Sequence, residues 1–129
     1  MPSATQHTID LLTDYFAAME AKDSDCFAAY YADDITLTFA GAPVVSGRDA
    51  VRQQMIDTLS KVESLAHHPL INVWQEDNGF VIFEVDSVWN LRDGTTTTIT
   101  ACSIFTLHDD KITDQRIYVD NGPISHQLS

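Results

Sequence analysis

The chain has 129 residues, and 19 acidic side chains against 7 basic ones give it a formal net charge of −12. That length holds one domain with a sizeable core but not two of ordinary size, so residues 1–129 are expected to form a single unit. The acidic balance repels phosphate backbones and anionic lipid surfaces, which sets nucleic acid and membranes aside as partners.

The first residues, Met1 to Gln6, carry neither a basic nor an apolar leader pattern, and no stretch approaches the length of a membrane span. A cytoplasmic location is expected. Cys26 falls in a helical pattern and Cys102 in a strand pattern, which predicts two buried free thiols rather than a disulfide.

From Thr8 to Ala21, Ile9, Leu12, Phe16 and Met19 recur at steps of three and four with Tyr15 beside them, the stripe of an amphipathic helix. Asp23 or Ser24 can cap a second, shorter helix through Tyr31. Ile35, Leu37 and Phe39 then alternate with polar residues, which predicts a strand. Gly41, Pro43 and Gly47 mark a loop, and Ser46 with Asp49 forms a variant capping box. A third helix carrying Val51, Met55, Leu59 and Val62 follows it. After Pro69 the sequence reads as four strands, Leu70 to Gln75, Phe80 to Leu91, Thr95 to Leu107 and Ile112 to Asp120. Asn78-Gly79, Asp93-Gly94 and His108 to Lys111 supply the turns, so these strands pair antiparallel. The fold class predicted is α+β, with three N-terminal helices on a long, mainly antiparallel sheet.

The segment from Asp14-Tyr15 to Tyr31-Ala32-Asp33-Asp34 resembles ketosteroid isomerase without a gap, and Phe83 to Asn90 is similar to its pocket-lining strand. With Ser46-Gly47-Arg48 and Asp110-Lys111-Ile112, the resemblance extends over nearly the whole chain. It points to the SnoaL-like and nuclear transport factor 2-like superfamily, which includes polyketide cyclases and scytalone dehydratase. The resemblance implies a cystatin-like cone with a curved sheet around an apolar pocket, and a homodimer formed through the outer sheet face. Carried over by position, the oxyanion-donor tyrosine falls on Tyr15. The isomerase base falls on Phe39 and the second, acidic donor on Ser103. Neither replacement supplies a carboxylate, so steroid isomerisation by the usual mechanism is not expected.

The expected site therefore combines Tyr15 with Asp120 or His68 as acid–base partner. Tyr15 is equally readable as a core aromatic with a tethered hydroxyl. Asp120 ends the last strand as in SnoaL-like proteins. Strand parity instead turns Arg116, Tyr118 and Asp120 outward if Ile117 and Val119 face inward, with Arg116 pairing Asp120 or Glu84. Both His67 and His68 could titrate near neutral pH from the loop before Pro69, and His68 is taken as the candidate. Phe39, Phe83, Val85, Ser87, Trp89, Ser103 and Val119 are the expected ligand-binding wall. No spacing repeats a metal motif, and no Gly-rich phosphate loop is present; neither metal nor cofactor is expected. Val88, Ile104 and Tyr118 on the outer face are the expected dimer surface. The chain is thus expected to take a small apolar or polyketide-like aromatic ligand. It is either an isomerase, cyclase or dehydratase, or else a non-catalytic ligand-binding or protein-interaction domain.

Overall fold

The computed structural model describes residues 2–119 and 122. Helix α1 (Gln6–Glu20) starts where the Thr5 hydroxyl accepts the Thr8 N–H, and it buries Leu12, Tyr15, Phe16 and Met19 on one stripe. The Asp23 carboxylate caps α2 (Ser24–Ala28), which is shorter than its sequence suggests. Tyr31 opens strand β1 (Tyr31–Phe39) instead of closing that helix. The cause is long-range, because the Ile112 N–H donates to the Tyr30 carbonyl at 2.7 Å and Tyr31 aligns with Ile112. Cross-fold pairing overrides local helix propensity.

Strand β2 (Val45–Ser46) pairs with β1 where a loop is expected, so Ser46 caps nothing. Helix α3 (Arg48–Ser60) has Gly47 at its N-cap, with φ at 94° and no side-chain cap bond. Strand β3 (Ser64–His67) is a second element missing from the sequence reading, and it puts His67 on the sheet rather than in a loop. Strands β4 (Ile71–Gln75), β5 (Phe80–Asn90), β6 (Thr96–His108) and β7 (Lys111–Val119) complete the set. No helix of the described residues is long and apolar enough to cross a membrane.

The strands form one curved sheet in the order β2-β1-β7-β6-β5-β3, with β4 sharing the β5 edge. β3 takes the Ser87–Asn90 half of that edge, and β4 runs along the Val81–Glu84 half. Among the described residues only β1 and β7 pair in parallel. At the β6–β7 turn Asp109 and Asp110 have φ of 49° and 62°, as a two-residue hairpin requires. Gly79 is held at φ 91°, and a Cβ there would stand 2.2 Å from the Leu107 carbonyl oxygen. Only glycine fits that approach.

Directly opposed residues share a sheet face, so the register defines the rows of the concave side. These are Val81–Phe105–Gln115, Phe83–Ser103–Ile117–Phe39, Val85–Ala101–Val119 and His67–Ser87–Ile99. A register shift in β7 pairs Leu107 with Ile112 but Thr106 with Asp114. This bulge lets Ile112 and Gln115, three residues apart, both turn inward and become buried. α1 packs on β3 and α3 on β1, and the aromatic rings of Phe16, Phe83 and Phe105 meet between helix and sheet.

Two expectations about the surface are corrected. Both cysteines are exposed: Cys26 precedes the buried pair Phe27 and Ala28, and Cys102 lies between the inward Ala101 and Ser103. Arg116 Nε donates to Asp114 Oδ2 at 2.7 Å rather than to Glu84, which accepts from Asn72 instead. Residues two apart on a strand share a face, so the nearer carboxylate takes the guanidinium.

Candidate functional site

The concave face encloses a cavity of about 280 Å³ between the helices and the sheet. Phe16 and Met19 of α1 and Met55 and Leu59 of α3 form its helical wall, facing Val85, Trp89 and Val119 of the sheet. Exposed Ala42, Gln54 and Lys61 stand at its rim. Among the described residues no Asp or Glu lines the cavity, and His67 and Lys61 are its ionisable side chains.

His67 ends β3 opposite Ser87, and this pairing aims its ring at the cavity. Its Nδ1 lies 3.2 Å from Glu20 Oε1, and the same oxygen accepts the His67 backbone N–H. Glu20 is the last residue of α1, one turn beyond Phe16, whose ring lies 4.4 Å from the imidazole between centroids. The His67 side chain is only 11% exposed, against 31% for Glu20. Burial pulls the imidazole below its ordinary value of 6.5, and the Glu20 charge and hydrogen bond oppose that shift. At neutral pH the ring is therefore uncharged. A carboxylate accepts and does not donate, so Nδ1 carries the hydrogen and Nε2 presents a lone pair. No described residue hydrogen-bonds Nε2.

A second polar group lies on the β6–β7 side. The Tyr15 hydroxyl, wholly buried, donates to Gln115 Oε1 at 3.0 Å and lies 2.8 Å from the Tyr31 hydroxyl, which donates to it. Gln115 lines the cavity and Tyr15 does not. Burial raises the Tyr15 phenol well above its ordinary value and pushes Tyr31 up to about 12, so both stay protonated throughout the working pH range. With Oε1 engaged, the Gln115 amide NH₂ is the end left facing the cavity.

The remaining expected site residues fall into three places. Phe39, Val85, Ser87, Trp89, Ser103 and Val119 line the cavity. Ser87 is already engaged, since its Oγ accepts from Trp89 Nε1 at 2.8 Å and donates to the Ile99 carbonyl. Phe83 lies one layer behind the wall, fully buried with its ring edge-to-face on Phe105 at 5.1 Å. His68 is exposed and away from the cavity, its N–H donating to the Asp86 carbonyl. Asp120 lies outside the described residues.

Glu20 and Gln115 were absent from the expected site, although both left a trace in the sequence. Glu20 follows Phe16 by four on the helical stripe, and Gln115 continues the inward parity of Ile117 and Val119. No group of three or more His, Cys, Asp or Glu able to hold a metal ion occurs among the described residues.

A curved sheet holding an apolar cavity against α1 and α3 makes a cone. The SnoaL-like domain model matches residues 12–115, and the chain belongs to that family. Solved structures with the nuclear transport factor 2-like and ketosteroid isomerase-like fold superpose on it. An epoxide hydrolase from M. tuberculosis has a TM-score of 0.76 at 18% identity, over 96% of this chain and 90% of that one. A protein with a ketosteroid isomerase-like fold from Catenulispora acidiphila, solved with trimethylamine, has a TM-score of 0.79 at 15% identity, over 92% and 91% of the two chains. TerC, co-crystallised with polyporic acid, has a TM-score of 0.77 at 12% identity, over 93% and 96%. At these identities the likeness is one of fold. No curated protein matches the chain in sequence.

Proposed function

We propose that the cavity binds a small, mostly apolar ring compound and that His67, held by Glu20, moves a proton on it in an isomerisation, cyclisation or dehydration. The observation that carries this reading is a buried imidazole on the wall of an apolar cavity, with Nδ1 held by a carboxylate and no described residue bonding Nε2. Nε2 takes a proton from carbon or a hydroxyl, and the bond's electron pair moves into the adjoining π system. The imidazolium formed is stabilised by Glu20 and returns the proton to another atom or to a departing oxygen. Excluding water from the apolar wall keeps the lone pair unhydrated and strengthens the Glu20 contact. The co-crystallisation of TerC with polyporic acid supports a small organic ligand in a cone of this shape. Tyr15 acts from behind the wall, through Gln115.

The test is hydrogen–deuterium exchange at carbon in a panel of small cyclic ketones in D₂O, followed by NMR. Exchange above the buffer rate should fall by roughly 10²–10⁴ in His67→Gln, the usual contribution of a positioned base. Unchanged exchange in that variant removes His67 from the mechanism, and no exchange across the panel favours a binding role alone. Asp120→Asn in the same assay tests the acid that the family resemblance offers.

The outer sheet face aligns Trp74, Ile82 and Ile104 in one row, with Tyr118 exposed nearby. A second copy covering this apolar strip is the reading it favours. A monomer at micromolar concentration by light scattering overturns it.

A further inference from the structure

We infer that Gln115, with Ser103 beside it, is a recognition site for an acceptor oxygen, so that the compound held in the cavity is a carbonyl compound docked with its oxygen on β6 and β7. The inference rests on the reading that the cavity holds a small ring compound, but it does not depend on His67 being a base.

Gln115 is 1% exposed and Ser103 3%, and both lie on the wall of an otherwise apolar cavity. A buried amide or hydroxyl without a partner is costly, and native interiors rarely leave one. The Gln115 oxygen is taken by the Tyr15 hydroxyl, but no described residue bonds its NH₂ or the Ser103 hydroxyl. No side-chain nitrogen or oxygen that is shut off from solvent lacks a partner among the described residues, so these two groups are open to the cavity and to whatever fills it. The polarity is fixed as well. Tyr31 donates to Tyr15 and Tyr15 to Gln115 Oε1, so a chain of two phenols holds the amide with its hydrogens toward the ligand. A carboxylate or charged acceptor on the protein would have recognised a hydroxyl or an amine; an NH₂ group recognises only an acceptor.

The placement of the two donors favours one oxygen. Ser103 is directly opposite Ile117, which makes Gln115 its diagonal neighbour across the β6–β7 pair. Diagonal neighbours stand roughly 7–8 Å apart, within the combined reach of a glutamine and a serine side chain. A carbonyl oxygen has two lone pairs and can accept from both. Phe105, which is paired with Gln115, and Phe16, which touches both Phe105 and His67, lie between this site and the imidazole. The ligand's apolar body therefore spans the aromatic floor, with its carbonyl at one end and its far edge toward His67. The ketosteroid isomerase resemblance gives the oxygen-binding role to Tyr15; here Tyr15 stands behind the wall and Gln115, which it holds, meets the cavity.

The experiment is a pair of NMR titrations with 1-indanone and indane, equal in shape and different in one oxygen. The wild-type protein should bind the ketone about tenfold more tightly, as expected for hydrogen bonds made inside an apolar site. Gln115→Met keeps the side-chain length and should cut the preference for the ketone over indane to about twofold or less. Ser103→Ala should reduce the preference in the same direction and reads the site independently should Gln115→Met fold poorly. Equal binding of ketone and hydrocarbon to the wild type, which would mean that water meets these donors, overturns the inference. Retention of the full preference in both variants overturns it too. Binding of neither compound overturns both this inference and the cavity reading. Loss of proton exchange with the ketone preference intact would overturn only the role given to His67.

Discussion

The two polar groups on the cavity wall solve the problem of burial in opposite ways. On the α1–β3 side, Glu20 and His67 form a pair that can change charge, with the imidazole's value lowered by burial and partly restored by the carboxylate. On the β6–β7 side, Tyr31, Tyr15 and Gln115 form a chain that stays neutral, because burial raises both phenols. One wall therefore carries a group that can change charge below its ordinary value, and the other carries groups that stay neutral. The contrast places a group that can change charge and a group that stays neutral on one apolar cavity with no carboxylate among its described lining.

The largest expected effect comes from breaking the titrating wall, where His67→Gln should lower proton exchange by roughly 10²–10⁴. Glu20→Gln sharpens the contrast, because an amide oxygen can still accept the Nδ1 hydrogen but no longer stabilises an imidazolium. Exchange should drop about tenfold for each pKa unit of lost stabilisation, and its pH inflection should move lower, since burial then acts unopposed. An inflection that stays in place would detach Glu20 from the mechanism.

In the wild type the neutral imidazole is the competent form. The rate should therefore rise with pH through the lowered His67 value, which lies below the ordinary 6.5, and level off above it. The unfolded chain takes up that proton more readily, so His67 also makes the fold less stable as pH falls from about 6.5 toward the lowered value. A rate that rises only above neutral pH would point to another group.

On the neutral wall, Tyr15→Phe removes the hydroxyl that Gln115 and Tyr31 both use, and should cost about 1–3 kcal/mol in denaturant unfolding. The pH inflection should not move. The smallest effect belongs to His68→Ala, exposed and off the cavity, which should stay within about 0.5 kcal/mol and leave exchange intact.

Much of the cone could be read from residue order. The stripe of Leu12, Phe16 and Met19, the alternation of Ile35, Leu37 and Phe39, and the long strands after Pro69 are local signals, and each appears in the structure. Most of the expected wall, from Phe39 to Val119, also lines the cavity, because period-two alternation settles which side of a strand faces in. The exceptions arise where pairing across the chain decides the matter. Strands β2 and β3 are too short to show a period, so in sequence Ser46 looks like a cap and His67 like part of a loop. Phe83 has the parity of a lining residue, but Phe105 packs across it, and depth within a layer leaves no mark in an alternation pattern.

The composition, the periodicities and the Tyr31-Ala32-Asp33-Asp34 segment are properties of neighbours along the chain, and they were enough to assign α+β class and family. The site depended on distances between residues far apart in sequence. Glu20 reaches His67 across 47 positions and Tyr15 reaches Gln115 across 100, and each contact depends on how α1 is laid over the sheet. Local patterns carry no information about that docking. Core packing placed these four side chains, leaving an imidazole and an amide on the walls of one cavity.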